Sequence, residues 1–188
     1  AGMSELELDA RPTDLARLQA VAAVGQAKLI EAYDRTFREH GRHAAQVLLT
    51  AQDLDDRAGY LNVRNTLFSL MEFNAIPIIN ENDTVAVDEL MTTFGDNDRL
   101  AALVTNLLGA QLLVILSDVD GLYDGDPASE STSVISLVTE LNDEIRAHAS
   151  TAAGGPGKGG MVSKLDAAQI VTAAGEQVII ASGHEENV

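Results

Sequence analysis

Apolar residues along this chain recur with two periods, one helical and one extended, and the two alternate. Pro12 to Val24 and Gln26 to His40 carry Leu15, Leu18, Ala22 and Gly25 on one helical face, and the first stretch opens at Pro12-Thr13-Asp14, residues suited to a helix start. The pattern predicts two helices broken at Ala22-Ala23-Val24-Gly25-Gln26, where small side chains let a helix or a ligand come close. Ala44 to Thr50, with Val47-Leu48-Leu49, predicts a short buried strand. Asp53 to Arg57 reads as a polar turn or helix start. Tyr60 to Phe73 is helical, with Leu61, Arg64, Leu67, Phe68 and Met71 setting the period.

Ala75-Ile76-Pro77-Ile78-Ile79 predicts a second strand, demoted somewhat by its proline, and it ends in Asn80-Glu81-Asn82-Asp83. Val85 to Phe94 is a hairpin or a mobile loop. Gly95-Asp96-Asn97-Asp98 then precedes a helix over Arg99 to Leu108, with Asp96 as its N-cap and Gly109 as its stop. Gln111 to Leu116 is nearly all apolar, as in a parallel strand covered on both faces, and runs into Ser117-Asp118-Val119-Asp120-Gly121-Leu122-Tyr123. A helix lies within Ser136 to Ser150. Another over Met161 to Ala174 presents Met161, Leu165, Ala168 and Val171, and Gln177-Val178-Ile179-Ile180 is a fourth strand ending at Ala181-Ser182-Gly183. Alternating strands and helices predict an α/β fold, a parallel sheet flanked by helices.

The segment before Met161 changes the picture most. Gly154-Gly155-Pro156-Gly157-Lys158-Gly159-Gly160 holds five glycines and a proline, which suit neither a helix nor a central strand. It is a loop that feeds a helix start, where unpaired N–H groups and the positive end of the dipole favour an anion. Lys164 in the first turn opposes that dipole, so a negative group should sit beside it, phosphate being the obvious candidate. The loop is not a Walker sequence, because Lys164 follows Ser163 and no glycine immediately precedes it. From composition alone it reads as either a flexible connector or a phosphate site.

The 188 residues, 46% hydrophobic, are enough for one globular domain or a large part of a bigger one. A formal net charge of -17 repels nucleic acid and anionic membranes, so an anionic ligand must be held by local groups. Cysteine is absent, which removes disulfides and thiolate metal sites and leaves the redox compartment open, with the cytoplasm as the default. The longest apolar run, Leu112 to Leu116, is far too short to span a bilayer.

Polar residues collect at the strand ends: Asn80 to Asp83, Ser117-Asp118 and Ser182-Gly183. In open α/β sheets this is where ligands bind. Asparagine amides suit an amino-acid ligand, and carboxylates suit an ammonium group or Mg2+, while capping and turns are the commoner use of such residues. A calcium loop starting at Asp118 fails, because Leu122 and Ser129 fall where ligands are needed. No serine, histidine and acid pattern is readable, and His40, His43, His148 and His184 lack ligand spacing, His40 and His43 reading as surface residues of a turn.

Taken in order, Ala22-Ala23-Val24-Gly25-Gln26, Asn62-Val63-Arg64-Asn65-Thr66-Leu67, Pro77-Ile78-Ile79-Asn80-Glu81-Asn82-Asp83, Gly95-Asp96-Asn97-Asp98, Asp118-Val119-Asp120-Gly121-Leu122-Tyr123 and Gly159-Gly160-Met161-Val162-Ser163-Lys164 resemble the amino-acid kinase family along essentially the whole chain. The Ile-Asn-Glu-Asn-Asp stretch favours the branch acting on glutamate over its uridylate and acetylglutamate relatives. The resemblance implies a three-layer αβα sandwich with a mainly parallel sheet. About 1–110 would be the amino-acid-binding half and about 111–188 the nucleotide-binding half of a single, partial kinase domain. It implies ATP- and Mg2+-dependent phosphorylation of the side-chain carboxylate of L-glutamate at the start of proline synthesis. Proline as a feedback inhibitor and a homo-oligomeric state go with it.

Residue by residue, the resemblance implies that Asn80, Asp83, Asp96 and Asn97 hold the glutamate. Ser117 and Asp118 would be nucleotide contacts, with serine where the family often has threonine. Lys158, Gly159, Gly160, Met161, Val162, Ser163 and Lys164 would form the ATP loop, with Lys164 neutralising the transferring phosphoryl group and Asp98 orienting the catalytic lysines. Lys158 stands where a small hydroxyl residue is usual. Family members begin with a strand and a lysine-bearing glycine loop, then a Ser-Gly-Ala segment, that this sequence lacks. The chain is therefore expected to be an internal piece, inactive if it were the whole molecule, with a nucleotide- or amino-acid-binding module as the alternative function.

Overall fold

A computed structural model describes residues 1–85, 97–127, 129–151 and 160–185. The elements run α1 (Gly2–Glu5), α2 (Leu15–Arg38), β1 (His43–Leu49), α3 (Ala51–Asp55), α4 (Arg57–Glu72), β2 (Ala75–Glu81), α5 (Asn97–Leu108), β3 (Leu112–Ser117), α6 (Asp143–Thr151), α7 (Met161–Thr172) and β4 (Gln177–Ser182). Helix and strand alternate as the periodicity predicts. The chain divides into two compact units, Ala1–Phe94 and Gly95–Val188. Helix α5 belongs to the second unit, where it packs on α7 and β3.

In the first unit β1 and β2 pair in parallel, from His43 opposite Ala75 to Leu49 opposite Glu81. The register brings Asn80 and Glu81 to the carboxyl end of the ladder beside Leu48 and Leu49. Pro77 sits inside β2 opposite Ala45, a position open to a residue without a donor when the strand is paired on one side only, as it is among the described residues. His43 starts β1 rather than lying in a turn, and its side chain is exposed.

Helix α2 runs unbroken through Gly25, where the sequence predicts a break. Glycine inside a helix costs about 1 kcal/mol relative to alanine. Its lack of a side chain is what lets α1 approach: a Cβ on Gly25 would stand 2.9 Å from the Gly2 nitrogen. The small residues there are a contact surface rather than a terminus. Asp14 caps α2 by accepting from the Arg17 amide at 3.0 Å. Thr50 and Asp53 close a capping box on α3, and Asp56 both ends α3 and caps α4, accepting from the Gly59 amide at 2.8 Å.

In the second unit β3 and β4 pair in parallel from Leu112 opposite Gln177 to Ser117 opposite Ser182. Gly109, at φ 61°, ends α5 as predicted. Ala102, Ile115, Ala167 and Val171 form one core cluster between α5, β3 and α7. Leu122, Ala149 and Leu165 form a second, with Ile145 and Met161 packed on it. Helix α7 lies between the two clusters, so Lys164 and Ala167 are buried along with the predicted Leu165, Ala168 and Val171. The expectation that β3 is covered on both faces is corrected. Ile115 is buried, whereas Leu112, Val114 and Leu116 are 44%, 43% and 60% exposed, because α5 and α7 pack on one face. No helix among the described residues is long and apolar enough to cross a membrane.

Leu67 of α4 and Leu107 of α5 are fully enclosed, at 0% and 2% exposure. Leu67→Ala or Leu107→Ala should each destabilise the 188-residue chain by about 2–5 kcal/mol in urea unfolding. Leu116→Ala on the open face of β3 should change stability by about 0.5 kcal/mol or less.

Candidate functional site

Each unit carries a polar cluster at the carboxyl end of its strand pair. In the second unit the helix starts converge. Gly160 is the N-cap of α7 and supplies no side-chain cap, so the amides of the first turn are left to other acceptors. Four residues on, Lys164 is 8% exposed, with its amide bonded back to the Gly160 carbonyl. Its Nζ donates to Asp98 Oδ2 at 2.9 Å, from a side chain 10% exposed to one 14% exposed. Asp98 lies in the first turn of α5, where a carboxylate is favoured by the helix dipole. The negative group expected beside Lys164 is thus present within the protein. Ser163 Oγ lies 3.0 Å from the same Asp98 oxygen and 2.8 Å from the Gly160 carbonyl oxygen, and its one proton serves either acceptor.

The ends of β3 and β4 complete this unit's polar group. Ser117 and Ser182 face each other across the ladder, both buried, and the Gly183 amide donates to the Ser117 carbonyl at 2.8 Å. Ser117 Oγ donates to Asp118 Oδ1 at 3.2 Å, with Asp118 itself exposed. Val162 is 47% exposed, and Met161 packs into the second core cluster.

In the first unit a cleft of about 190 Å³ is lined by Ala22, Ala23, Gln26, Ala27, Gln46, Leu48, Glu81, Asp83 and Thr84. Asn80 adjoins it. Its Oδ1 accepts from the Glu81 amide at 3.0 Å and its Nδ2 donates to Gln26 Oε1 at 2.9 Å. Burial pushes the Asp83 carboxyl above its ordinary value of 3.8, since desolvation disfavours the charged form. Asp83 also lines an adjoining cleft with Arg11, Pro12, Leu18 and Val21.

The structure therefore brings together Asp98, Ser163 and Lys164, joins Ser117 to Asp118, and places Asn80 and Asp83 around one cleft. Asn97 starts α5 with an exposed side chain. Asp96, Lys158 and Gly159 lie outside the described residues. Gln26 was named only as the end of a small-residue segment. Its contact with Asn80 spans 54 positions, and the one local signal is a long polar side chain among three alanines.

The amino acid kinase family model matches residues 2–182, nearly the full chain. The chain belongs to the amino acid kinase family. Within that family it is 50% identical over 188 residues to glutamate 5-kinase of Rhodopirellula baltica, covering 100% of this chain and 48% of that protein. Against glutamate 5-kinase of Pseudomonas fluorescens it is 50% identical over 189 residues, covering 100% and 50%, and against that of Pseudomonas savastanoi 48% identical, covering 100% and 51%. The chain spans about half the length of these curated relatives. As a family member it has parallel α/β pairs, with the matched region taking in every strand described here.

Removing either partner of the Lys164 and Asp98 pair breaks a mostly buried ion pair. Lys164→Met and Asp98→Asn should each destabilise by about 3 kcal/mol. The double variant should lose less than the sum, with a coupling of about 1–3 kcal/mol in urea unfolding, and additive losses would contradict the pairing. Asp83 works in the opposite sense. With its folded value raised, it penalises the native state above that value and the penalty vanishes below the unfolded value of 3.8. Asp83→Asn should therefore raise the urea midpoint near neutral pH, and the gain should fade as pH falls through the raised value toward 3.8 and be absent below it.

Proposed function

We propose that this chain is part of an enzyme that transfers the γ-phosphoryl group of ATP to the side-chain carboxylate of L-glutamate. About 1–110 supplies the contacts to the amino acid and about 111–188 those to the nucleotide. The observation that carries this reading is the Lys164 ammonium, held on Asp98 at the uncapped start of α7. Transfer between two anions needs positioning and charge neutralisation, and a carboxylate nucleophile has no proton to lose. A lysine and a row of free amides at a helix start supply what the reaction asks of a protein.

In this reading the amides of Gly160 to Ser163 bind phosphate oxygens, and Lys164 swings its charge toward the transferring group as negative charge spreads over it. Asp98 sets the lysine's direction and Ser163 steadies Asp98. Ser117 and Asp118 contact the nucleotide at the end of β3. Lys158, Gly159 and Asp96 take the roles implied by the sequence motifs, two on the ATP loop and one with Asn97 at the acceptor. Asn80 and Asp83 hold the glutamate, the carboxylate of Asp83 suiting the ligand's ammonium.

Among the described residues no group of three or more His, Cys or acidic side chains is arranged to cage a metal. Mg2+ is usually held by one or two carboxylates and the substrate's phosphates. When bound there, Mg2+ supplies further neutralisation of the phosphate oxygens. Proline inhibition, a homo-oligomeric state and a cytoplasmic setting belong to the same reading, supported by the resemblance of the motifs.

The full-length enzyme should give glutamyl phosphate, trapped as the hydroxamate, only when ATP and glutamate are both present. Nucleotide binding without glutamate-dependent product would leave a binding module instead. Lys164→Ala should lower kcat by about 100-fold or more with little change in KM for glutamate. Asn80→Ala should chiefly raise that KM, and equal effects of both variants on both constants would remove the role assignment.

A further inference from the structure

Gln26 carries a buried polar atom in the first unit that no described residue satisfies. It lies on α2 one turn after Ala22 and Ala23 and directly before Ala27, and all four line the cleft beside Asn80. The three alanines leave space, so the glutamine amide is the hydrogen-bonding group that this helix offers there. Its orientation is set from the backbone outward. The Glu81 amide can only donate, which fixes Asn80 Oδ1 as acceptor; Asn80 Nδ2 must then donate, which fixes Gln26 Oε1 as acceptor. Gln26 Nε2 is left as the outward end of this relay. It is buried and has no hydrogen-bond partner among the described residues.

A buried donor without an acceptor is costly to the fold, and the acceptor of a ligand would satisfy it. We propose that Gln26 Nε2 donates to a carboxylate oxygen of the amino-acid acceptor, making Gln26 a specificity-determining residue. This rests on the reading that Asn80 and Asp83 hold that acceptor. The chemistry of an amino acid decides which end the donor meets. Its ammonium has only donors, so a donor in the cleft can pair only with a carboxylate. Asp83, a carboxylate lining the same cleft, complements the ammonium and would repel the other end. The Asn80 contact adds precision, because any movement of Asn80 moves the Gln26 donor with it.

Gln26→Glu in the full-length enzyme separates this role from a structural one. Glutamate at 26 keeps an oxygen for Asn80 Nδ2 and replaces only the donor, with a negative charge in its place. KM for glutamate should rise on the order of 100-fold, as expected for like charges brought together, while KM for ATP stays within about 3-fold. Gln26→Met, which removes the donor without adding charge, should raise the glutamate KM about tenfold, the loss of one hydrogen bond to a charged group. Thermal melts establish that each variant is folded, and if one is not, the other decides. If folded variants keep the wild-type glutamate KM while Asn80→Ala raises it, the Gln26 assignment is overturned and the acceptor site stands. If Asn80→Ala is also without effect on glutamate, the acceptor reading falls and this inference with it. A parallel rise in both KM values overturns the assignment in favour of a structural role.

Discussion

The ion pair between Lys164 and Asp98 is the interaction on which the second unit's site depends. A lysine in the first turns of a helix stands against the dipole, and one that is also buried loses the water that would solvate its charge. Two features of the fold make the position tenable. Helix α7 is held between two apolar clusters, which fixes where Lys164 lies, and α5 begins where its first-turn carboxylate can meet the ammonium. Replacing the pair whole by apolar groups of similar volume would change stability little, whereas removing one partner costs about 3–5 kcal/mol.

The first unit meets a related constraint with neutral groups. Its cleft is walled by small side chains of α2 on one side and by the end of β2 on the other. The relay from the Glu81 amide through Asn80 to Gln26 orients three polar groups without any net charge. A carboxylate, Asp83, remains partly desolvated in the same cleft. In the proposed reading a chain with net charge -17 accepts anionic ligands through groups that act over a few ångströms rather than through the long-range field.

Much of this was legible in the sequence where the determinants are local. Leu100, Leu103 and Leu107 announce α5, Gly109 announces its end, and the apolar runs announce β1 to β4. What was misread depends on partners distant in sequence. Gly25 looked like a helix break because α1, whose Gly2 it meets, is not visible in the local pattern. The single stripe read on α7 missed Lys164 and Ala167, since a helix between two clusters is buried on more than one side. Continuous apolar residues in β3 suggested two covered faces, yet packing within the unit covers one. Asp98 was singled out only through the family resemblance, its lysine lying 66 positions away, and Gln26 was missed because its meaning lies in a contact with Asn80.

The central claim is that Lys164 acts on charge that develops during transfer rather than on the resting nucleotide. Equilibrium binding of a non-hydrolysable ATP analogue to the full-length enzyme and to its Lys164→Ala variant tests it directly, set against the turnover of the same two proteins. The account predicts dissociation constants within about 3-fold of each other while turnover differs by about 100-fold or more. A loss of analogue affinity as large as the loss of turnover would contradict it and make Lys164 a nucleotide-binding residue alone.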